Sequence, residues 1–236
     1  MKGNGAMVSL VIPVFNKAEL TRRCLNSVLI HSASLKEVCV IDNASTDSTP
    51  QLLMELQGKF LRNKIQFSIV TNSKNLGFGA ACNQGIRLSS GLFVAILNND
   101  TWLMKGWDRA LIQELKSRNL DEIGPFFDER LLSDDPQRSA EQFLSMNRNK
   151  FRKHFVPILM FFQREAIDRL RFDHGGIFDE RFFVTYEDTD LLHRMKQLGM
   201  KYGQTSNCYI WHQSMGTRSS LPSGYEIDGL NKFIQK

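Results

Sequence analysis

The run Leu92-Phe93-Val94-Ala95-Ile96-Leu97-Asn98-Asn99-Asp100 decides the fold of this 236-residue chain. Six apolar residues without a polar interruption read as a strand buried on both faces, and the strand stops abruptly at three polar side chains. In an open α/β sheet the ligand chemistry gathers outside the carboxyl ends of the strands. Asp100 is therefore a candidate site residue as soon as the strand is drawn.

Working towards the N-terminus, strand and helix signals alternate. Residues 8–13 read as a buried strand, and residues 18–30 as an amphipathic helix with apolar Leu20, Cys24, Leu25 and Val28. Residues 38–41 form a second strand that runs into Asp42-Asn43-Ala44-Ser45. Residues 49–56 are a helix with Pro50 in its first turn, a place where the missing N–H costs little. A third strand (65–70) and a third helix (78–88) complete a βαβαβαβ order. That order predicts a parallel, doubly wound sheet with right-handed crossovers.

Towards the C-terminus the pattern is looser. Residues 108–118 read as a helix, 156–162 as a strand, 164–170 as a short helix and 187–198 as a helix stopped by Gly199. Short strands are expected at 201–205 and 209–212. Between them, residues 127–155 are polar, carry both charge signs and lack a clear period. They read as a surface loop or short helical excursion, and they end in the basic-aromatic cluster Arg148-Asn149-Lys150-Phe151-Arg152-Lys153-His154-Phe155. A surface facing a membrane or an acceptor is the alternative reading of that cluster.

Composition narrows the classes. At 42% hydrophobic residues, the chain supports one sizeable core, and one domain fits better than two. Its longest apolar runs are about six residues, against the roughly 20 needed to span a bilayer. Residues 1–7 have no apolar signal core. Cys24, Cys39, Cys82 and Cys208 are scattered without a CxxC pair, which argues against a zinc site and for reduced thiols in the cytoplasm. The net charge of +5 suits anionic substrates or the inner face of a membrane, and equally a solvated basic face. Nothing points to nucleic acid.

Three constellations remain, each with an ordinary alternative. Asp42 is placed to accept a hydrogen bond from a base or ribose, or merely to form an Asx turn. Asn75-Leu76-Gly77-Phe78-Gly79-Ala80-Ala81-Cys82 is a poor dinucleotide fingerprint, since Cys82 stands where a third glycine or alanine belongs and the stretch follows the third strand. Its small residues fit close packing of a helix on the sheet. Glu187-Asp188-Thr189-Asp190 places three carboxyl groups at a helix start, where the dipole favours them and where a general base is well sited. Asp100 offers one carboxylate to a hard divalent cation that also binds substrate phosphates, and His212 offers an imidazole better suited to Mn²⁺ than to Mg²⁺.

Taken in order, VSLVIPVFN, IDNASTDST, NLGFGAACNQG, ILNNDT, FDERFFVTYEDTDLLHRMKQLGMK and WHQSMGT resemble family 2 glycosyltransferases over roughly residues 7–103 and 156–216. The resemblance implies a single-domain GT-A fold: a Rossmann-like, mostly parallel sheet flanked by helices. Residues 7–103 would form a nucleotide-binding half and 104–236 an acceptor and catalytic half. It implies inverting transfer from a nucleotide-sugar donor, UDP- or dTDP-linked, with Mn²⁺ or Mg²⁺, to a glycan, lipid-linked glycan or protein acceptor. Pro13, Phe15, Asn16, Asp42, Asn75, Gly77 and Asn98 would serve the donor, Asp100 and His212 the metal. Asp188 would be the base, with Glu187 and Asp190 beside it. The ILNNDT and EDTDLLHRMKQLG forms look most like bacterial polysaccharide enzymes, among them rhamnosyl-, galactofuranosyl- and hexosaminyltransferases. Asn98 replaces the first acid of the Asp-x-Asp motif, and Asn43 replaces a second acid after Asp42. A nucleotidyltransferase would show a glycine-rich loop after the first strand, which Pro13-Val14-Phe15-Asn16-Lys17 does not. A sugar-nucleotide-binding protein without activity would have lost the base or the metal ligand.

Overall fold

A computed structural model describes residues 8–128, 133–213 and 232–234. Residues 1–7 and the end of the last motif, 214–217, lie outside them. Four strands make the parallel half of the sheet: β1 (Val8–Val14), β2 (Leu35–Asp42), β3 (Gln66–Thr71) and β4 (Phe93–Leu97). They lie in the order β3-β2-β1-β4, joined by α1 (Ala18–His31), α2 (Thr49–Arg62) and α3 (Phe78–Leu88). This is the doubly wound arrangement that the strand–helix alternation predicts.

Beyond β4 the sheet becomes mixed. β8 (Leu159–Gln163) runs antiparallel to β4, β6 (Glu122–Phe126) antiparallel to β8, and β9 (Tyr202–His212) parallel to β6. β5 (Thr101–Leu103) and β7 (Phe151–Arg152) both pair antiparallel with β9. The two short strands expected near the C-terminus are one strand with a register shift opposite Pro125 and Phe126. β5, β6 and β7 are absent from the sequence reading. Each is five residues or fewer, too short to show a period of its own.

Alternation along the strands divides the core into two layers. Leu10, Ile12 and Val14 face α1, α2 and α4 (Trp107–Ser117), whose Leu25, Leu56, Trp107 and Leu111 are fully buried or nearly so. Val11, Val94 and Ile96 face the opposite layer: α3, α6 (Arg164–Leu170) and α7 (Glu187–Gln197). Gly85 of α3 is what allows close contact there, because a Cβ on it would lie 2.3 Å from Val11 Cγ1. Small residues in the Asn75–Gly85 stretch thus serve helix-on-sheet packing, as read. All four cysteines are free and buried, and burial pushes the thiols of Cys24 and Cys39 up to about 12.

The stretch 127–155 differs most from expectation. Its middle is α5 (Pro136–Met146), capped by the Asp135 carboxylate accepting from Arg138 N at 3.1 Å. Ala140 and Phe143 are buried in a third cluster with Tyr209 and Trp211 of β9, and Phe143 stacks on Tyr209 at 4.8 Å between ring centroids. Only two or three positions of α5 face the protein, so its apolar stripe is too thin to be read against the polar background.

Candidate active site

The turn after β4 is held by α1 and by the residue that precedes β8. Asn98 N donates to Ile158 O (3.1 Å), Thr101 Oγ1 donates to Asn98 O (2.8 Å), and Asn99 Nδ2 donates to Thr21 Oγ1 (2.9 Å). β5 then leaves antiparallel to β9, with Thr101 opposite His212, and Gln213 N donates to Asp100 O at 2.9 Å. This pairing brings His212 to Asp100: Nε2 lies 3.1 Å from Oδ1, with the ring edge against Phe127. The two residues are 112 positions apart in the chain (212 − 100) and are joined only by the sheet. Asp100 is 6% exposed, yet Oδ1 makes no hydrogen bond of good geometry, and Asn98 Oδ1 and His212 Nδ1 have no partner among the described residues.

Buried polar atoms are normally satisfied, so three unsatisfied ones within one turn and its neighbouring strand point to a group that completes them. Among the described residues no three His, Cys, Asp or Glu side chains are grouped to hold a metal. The available donors are one carboxylate, one imidazole and one amide oxygen. Such a sparse set fits a divalent cation that takes its remaining ligands from substrate phosphates and water.

The tips of β1 and β2 adjoin this turn. Val14 is paired with Asp42, and Asp42 is 1% exposed with Oδ1 accepting from Ser45 N (2.9 Å) while Oδ2 has no hydrogen-bond partner among the described residues. Asn16 Oδ1 accepts from Thr46 N (2.7 Å) and Asp47 N (3.3 Å), tying the β1–α1 loop to the β2–α2 loop. Asn16 and Lys17 both adopt left-handed φ, 56° and 61°, which produces the sharp reversal there. Pro13 is buried and Phe15 partly exposed at the same edge. Asn43 is a scaffold residue: it accepts from Asn72 Nδ2 (3.0 Å) and Leu76 N (3.0 Å) and donates to Asn75 Oδ1 (2.7 Å). Asn75 in turn accepts from Gly77 N (2.9 Å).

Gly77 is where the β3–α3 loop meets the segment that leads into α7. Its φ is +88°, and a Cβ on it would lie 2.2 Å from Phe183 O, the carbonyl that accepts from Phe78 N at 2.9 Å. Asn83 makes the second link. Fully buried, it accepts from Ile177 N (2.9 Å) and Phe178 N (3.0 Å) and donates to Phe178 O (2.8 Å) and Glu180 Oε1 (3.0 Å). The Asn75–Gly85 stretch therefore clamps the segment that leads into α7.

That segment ends with two left-handed residues, Thr185 (φ 78°) and Tyr186 (φ 65°), immediately before the acidic turn. Backbone strain of this kind at a β-branched residue persists only where surrounding contacts impose it, and it concentrates at functional sites. Asp188 is partly exposed, with Oδ1 accepting from Thr189 N at 2.7 Å. Glu187 is 7% exposed, packed near Gly79. Asp190 has a different occupation. It is 1% exposed and paired with Arg194 (2.9 Å), whose guanidinium also donates to Leu170 O (3.1 Å) and Ile177 O. Sequence reasoning missed Asn83 and Arg194. A buried amide inside a small-residue helix, and an arginine four residues after an acid, were the signals available.

These features (a parallel half-sheet, a sparse set of buried polar donors at its fourth strand tip, a clamped acidic helix start) agree with what the motifs resemble. The model of "Glycosyl transferase family 2" matches residues 9–174. The chain belongs to this family. Among curated relatives, the family 2 chain is 34% identical over 97 residues to chondroitin synthase of Escherichia coli, covering 41% of this chain and 13% of the synthase. Among solved structures it resembles the mannosyltransferase PcManGT from Pyrobaculum calidifontis, in complex with GDP-Man and Mn²⁺, with TM-score 0.68 and 19% identity over 97% of this chain and 64% of that one. It also resembles S. aureus TarS 1–349 in complex with UDP, with TM-score 0.62 and 19% identity over 86% and 60%. The chain spans less than two thirds of the length of each of these relatives. The likeness to the solved structures establishes the fold, which is GT-A.

Proposed function

We propose that this family 2 chain is a single GT-A domain that transfers a sugar from a nucleotide-sugar donor to an acceptor hydroxyl with inversion at the anomeric carbon. The observation that carries the reading is the pair of buried oxygens Asn98 Oδ1 and Asp100 Oδ1, which make no hydrogen bond of good geometry among the described residues, with the His212 imidazole 3.1 Å from the latter. When bound there, Mn²⁺ or Mg²⁺ supplies Lewis-acid stabilisation of the departing diphosphate. Asp100 and His212 hold it, and Asn98 adds a neutral oxygen.

The chain's own residues supply the rest. Asp42 Oδ2 accepts a hydrogen bond from the base or ribose, and Pro13, Phe15 and Asn16 shape that edge. Asn75 and Gly77 set the position of the segment leading to α7. Asp188 takes the acceptor proton as the hydroxyl attacks the face of the anomeric carbon opposite the leaving group, so no covalent sugar–enzyme intermediate forms. Glu187 and Asp190 flank it in the same turn, and Asp190 is held in place by Arg194. PcManGT with GDP-Man and Mn²⁺ and TarS with UDP support a nucleotide-sugar donor. The E. coli relative supports a glycan acceptor in polysaccharide synthesis; a lipid-linked glycan or a protein would present the same acceptor hydroxyl. Free buried thiols and, among the described residues, no helix long and apolar enough to cross a membrane favour work in the cytoplasm, at the inner face of the membrane if the acceptor is lipid-linked.

The test is a thermal-shift panel of nucleoside diphosphates with and without Mn²⁺, on the natural chain and on Asp100→Ala. A ligand at 100 times its dissociation constant adds about 2.7 kcal/mol. Metal-dependent stabilisation is expected in the natural chain and should vanish in the variant, and its persistence there would remove Asp100 from the metal. Product analysis by NMR should find the anomeric configuration inverted.

A further inference from the structure

At the opposite end of the sheet from Asp100 and His212, three lysines surround an open pocket of about 440 Å³. Lys153 follows β7, Lys196 lies in the last turn of α7, and Lys201 precedes β9. All three side chains are exposed, and none forms an ion pair among the described residues. Lys196 is nine residues along α7 from Glu187, and the pocket is at the start of β9 while His212 is at its end. At about 1.5 Å per helical residue and 3.3 Å per strand residue, the separations are about 13 Å and 33 Å. This is not the donor site.

The pocket floor is apolar: Leu120, Phe151, Met200 and Tyr202, with Lys153 Nζ 5.7 Å from the Tyr202 ring centroid. The acids nearby do not answer the lysines. Asp121 is engaged by Arg169 (2.8 Å) and by the backbone N–H of Lys201 (2.7 Å), and Glu122, opposite Tyr202 in the sheet, is fully buried. The neighbouring arginines are already committed, Arg118 to Glu114 (2.7 Å) and Arg152 to Gln204 (2.5 Å). Leu198, 45% exposed, stands between Lys196 and Lys201 in the chain. Unpaired ammonium groups over an apolar floor, beside an exposed leucine, match an amphiphile whose anionic head meets the lysines and whose carbon skeleton covers the floor. Free phosphate would leave the floor bare.

We propose that this pocket binds the phosphate headgroup of an anionic lipid, holding the remote end of the domain against a membrane surface. Near an anionic bilayer three lysines together strengthen binding by about 100-fold, in a salt-dependent way. Cosedimentation of the chain with vesicles containing phosphatidic acid, against phosphatidylcholine vesicles, tests this. Binding to the anionic vesicles alone is expected, weakened about 100-fold in the triple variant Lys153→Gln, Lys196→Gln, Lys201→Gln. Nucleoside-diphosphate binding should be unchanged in that variant, which separates this proposal from the assignment of the donor site. A control triple, Lys36→Gln, Lys64→Gln, Lys105→Gln, carries the same charge change elsewhere and should keep most of the binding. No binding to anionic vesicles, equal loss in the control triple, or inorganic phosphate competing as strongly as short-chain phosphatidic acid would each overturn the proposal.

Discussion

His212 Nε2 stands 3.1 Å from Asp100 Oδ1, although the two residues are 112 positions apart in the chain (212 − 100). β5 has only three residues, and its pairing with the end of β9 is what sets this distance. The acidic turn of α7 is set by different contacts: Gly77 against Phe183, and Asn83 against Ile177 and Phe178. The site therefore has two independently supported parts, and variants in each should fail in different ways.

Asp188→Asn keeps the size of the side chain and removes its basicity. A general base contributes typically 10²–10⁴-fold, so transfer should fall by about that factor. Donor affinity, which the proposed function assigns to the tips of β1, β2 and β4, should change little. Single-turnover transfer and donor binding measured on the same preparation check this, and undiminished transfer would move the base to Glu187.

Gly77→Ala and Gly199→Ala form a matched pair. Both glycines have positive φ, +88° and +63°, but only at Gly77 does a Cβ meet backbone, 2.2 Å from Phe183 O. A left-handed alanine alone costs about 1–2 kcal/mol. Gly199→Ala should cost about that, and Gly77→Ala clearly more, with transfer lost because Phe183 and the segment beyond it must shift. Denaturant unfolding of the two variants gives the comparison, and equal costs would contradict the close approach.

Asn83→Ala removes four hydrogen bonds at a fully buried position and leaves the Ile177 and Phe178 amides unpaired. Each buried donor left unsatisfied costs about 1–3 kcal/mol, so a loss of about 3 kcal/mol or more is expected. Hydrogen exchange should show protection lost at Ile177 and Phe178 while β1 to β4 stay protected. Uniform loss across the sheet would mean that Asn83 supports the whole core rather than one segment.

Glu122 is fully buried, with neither carboxyl oxygen making a hydrogen bond of good geometry among the described residues. Burial pushes its pKa well above the carboxylate range; the Phe161 amide opposes this only weakly. The folded protein thus holds a proton that the unfolded chain releases near pH 4.3. Between that value and the raised folded pKa the native state binds more protons, so stability falls as pH rises through this window. Glu122→Gln mimics the protonated form and should flatten the slope, becoming more stable than the natural chain at alkaline pH and equal to it below about pH 4. Parallel pH–stability curves would show that Glu122 ionises freely.

The amino-acid sequence by itself determined the parallel half of the fold. Buried runs such as Phe93–Leu97 (the expected first residue, Leu92, is exposed and outside the strand) and amphipathic helices with a 3.6-residue period are local signals, and their alternation leaves a doubly wound sheet as the economical packing. It also placed Asp42, Asn98 and Asp100 at the carboxyl edge, because a polar residue that ends a buried strand has no other place to be. The tertiary structure decided what depends on partners far away in the chain. β6 is a strand because β8 and β9 flank it. α5 is a helix against the protein because Phe143 finds Tyr209, and Asn83 and Arg194 matter because of the carbonyls and amides they meet across the α3–α7 layer. Short elements and buried polar hubs draw their stability from such non-local contacts, and no periodicity in their own few residues records them.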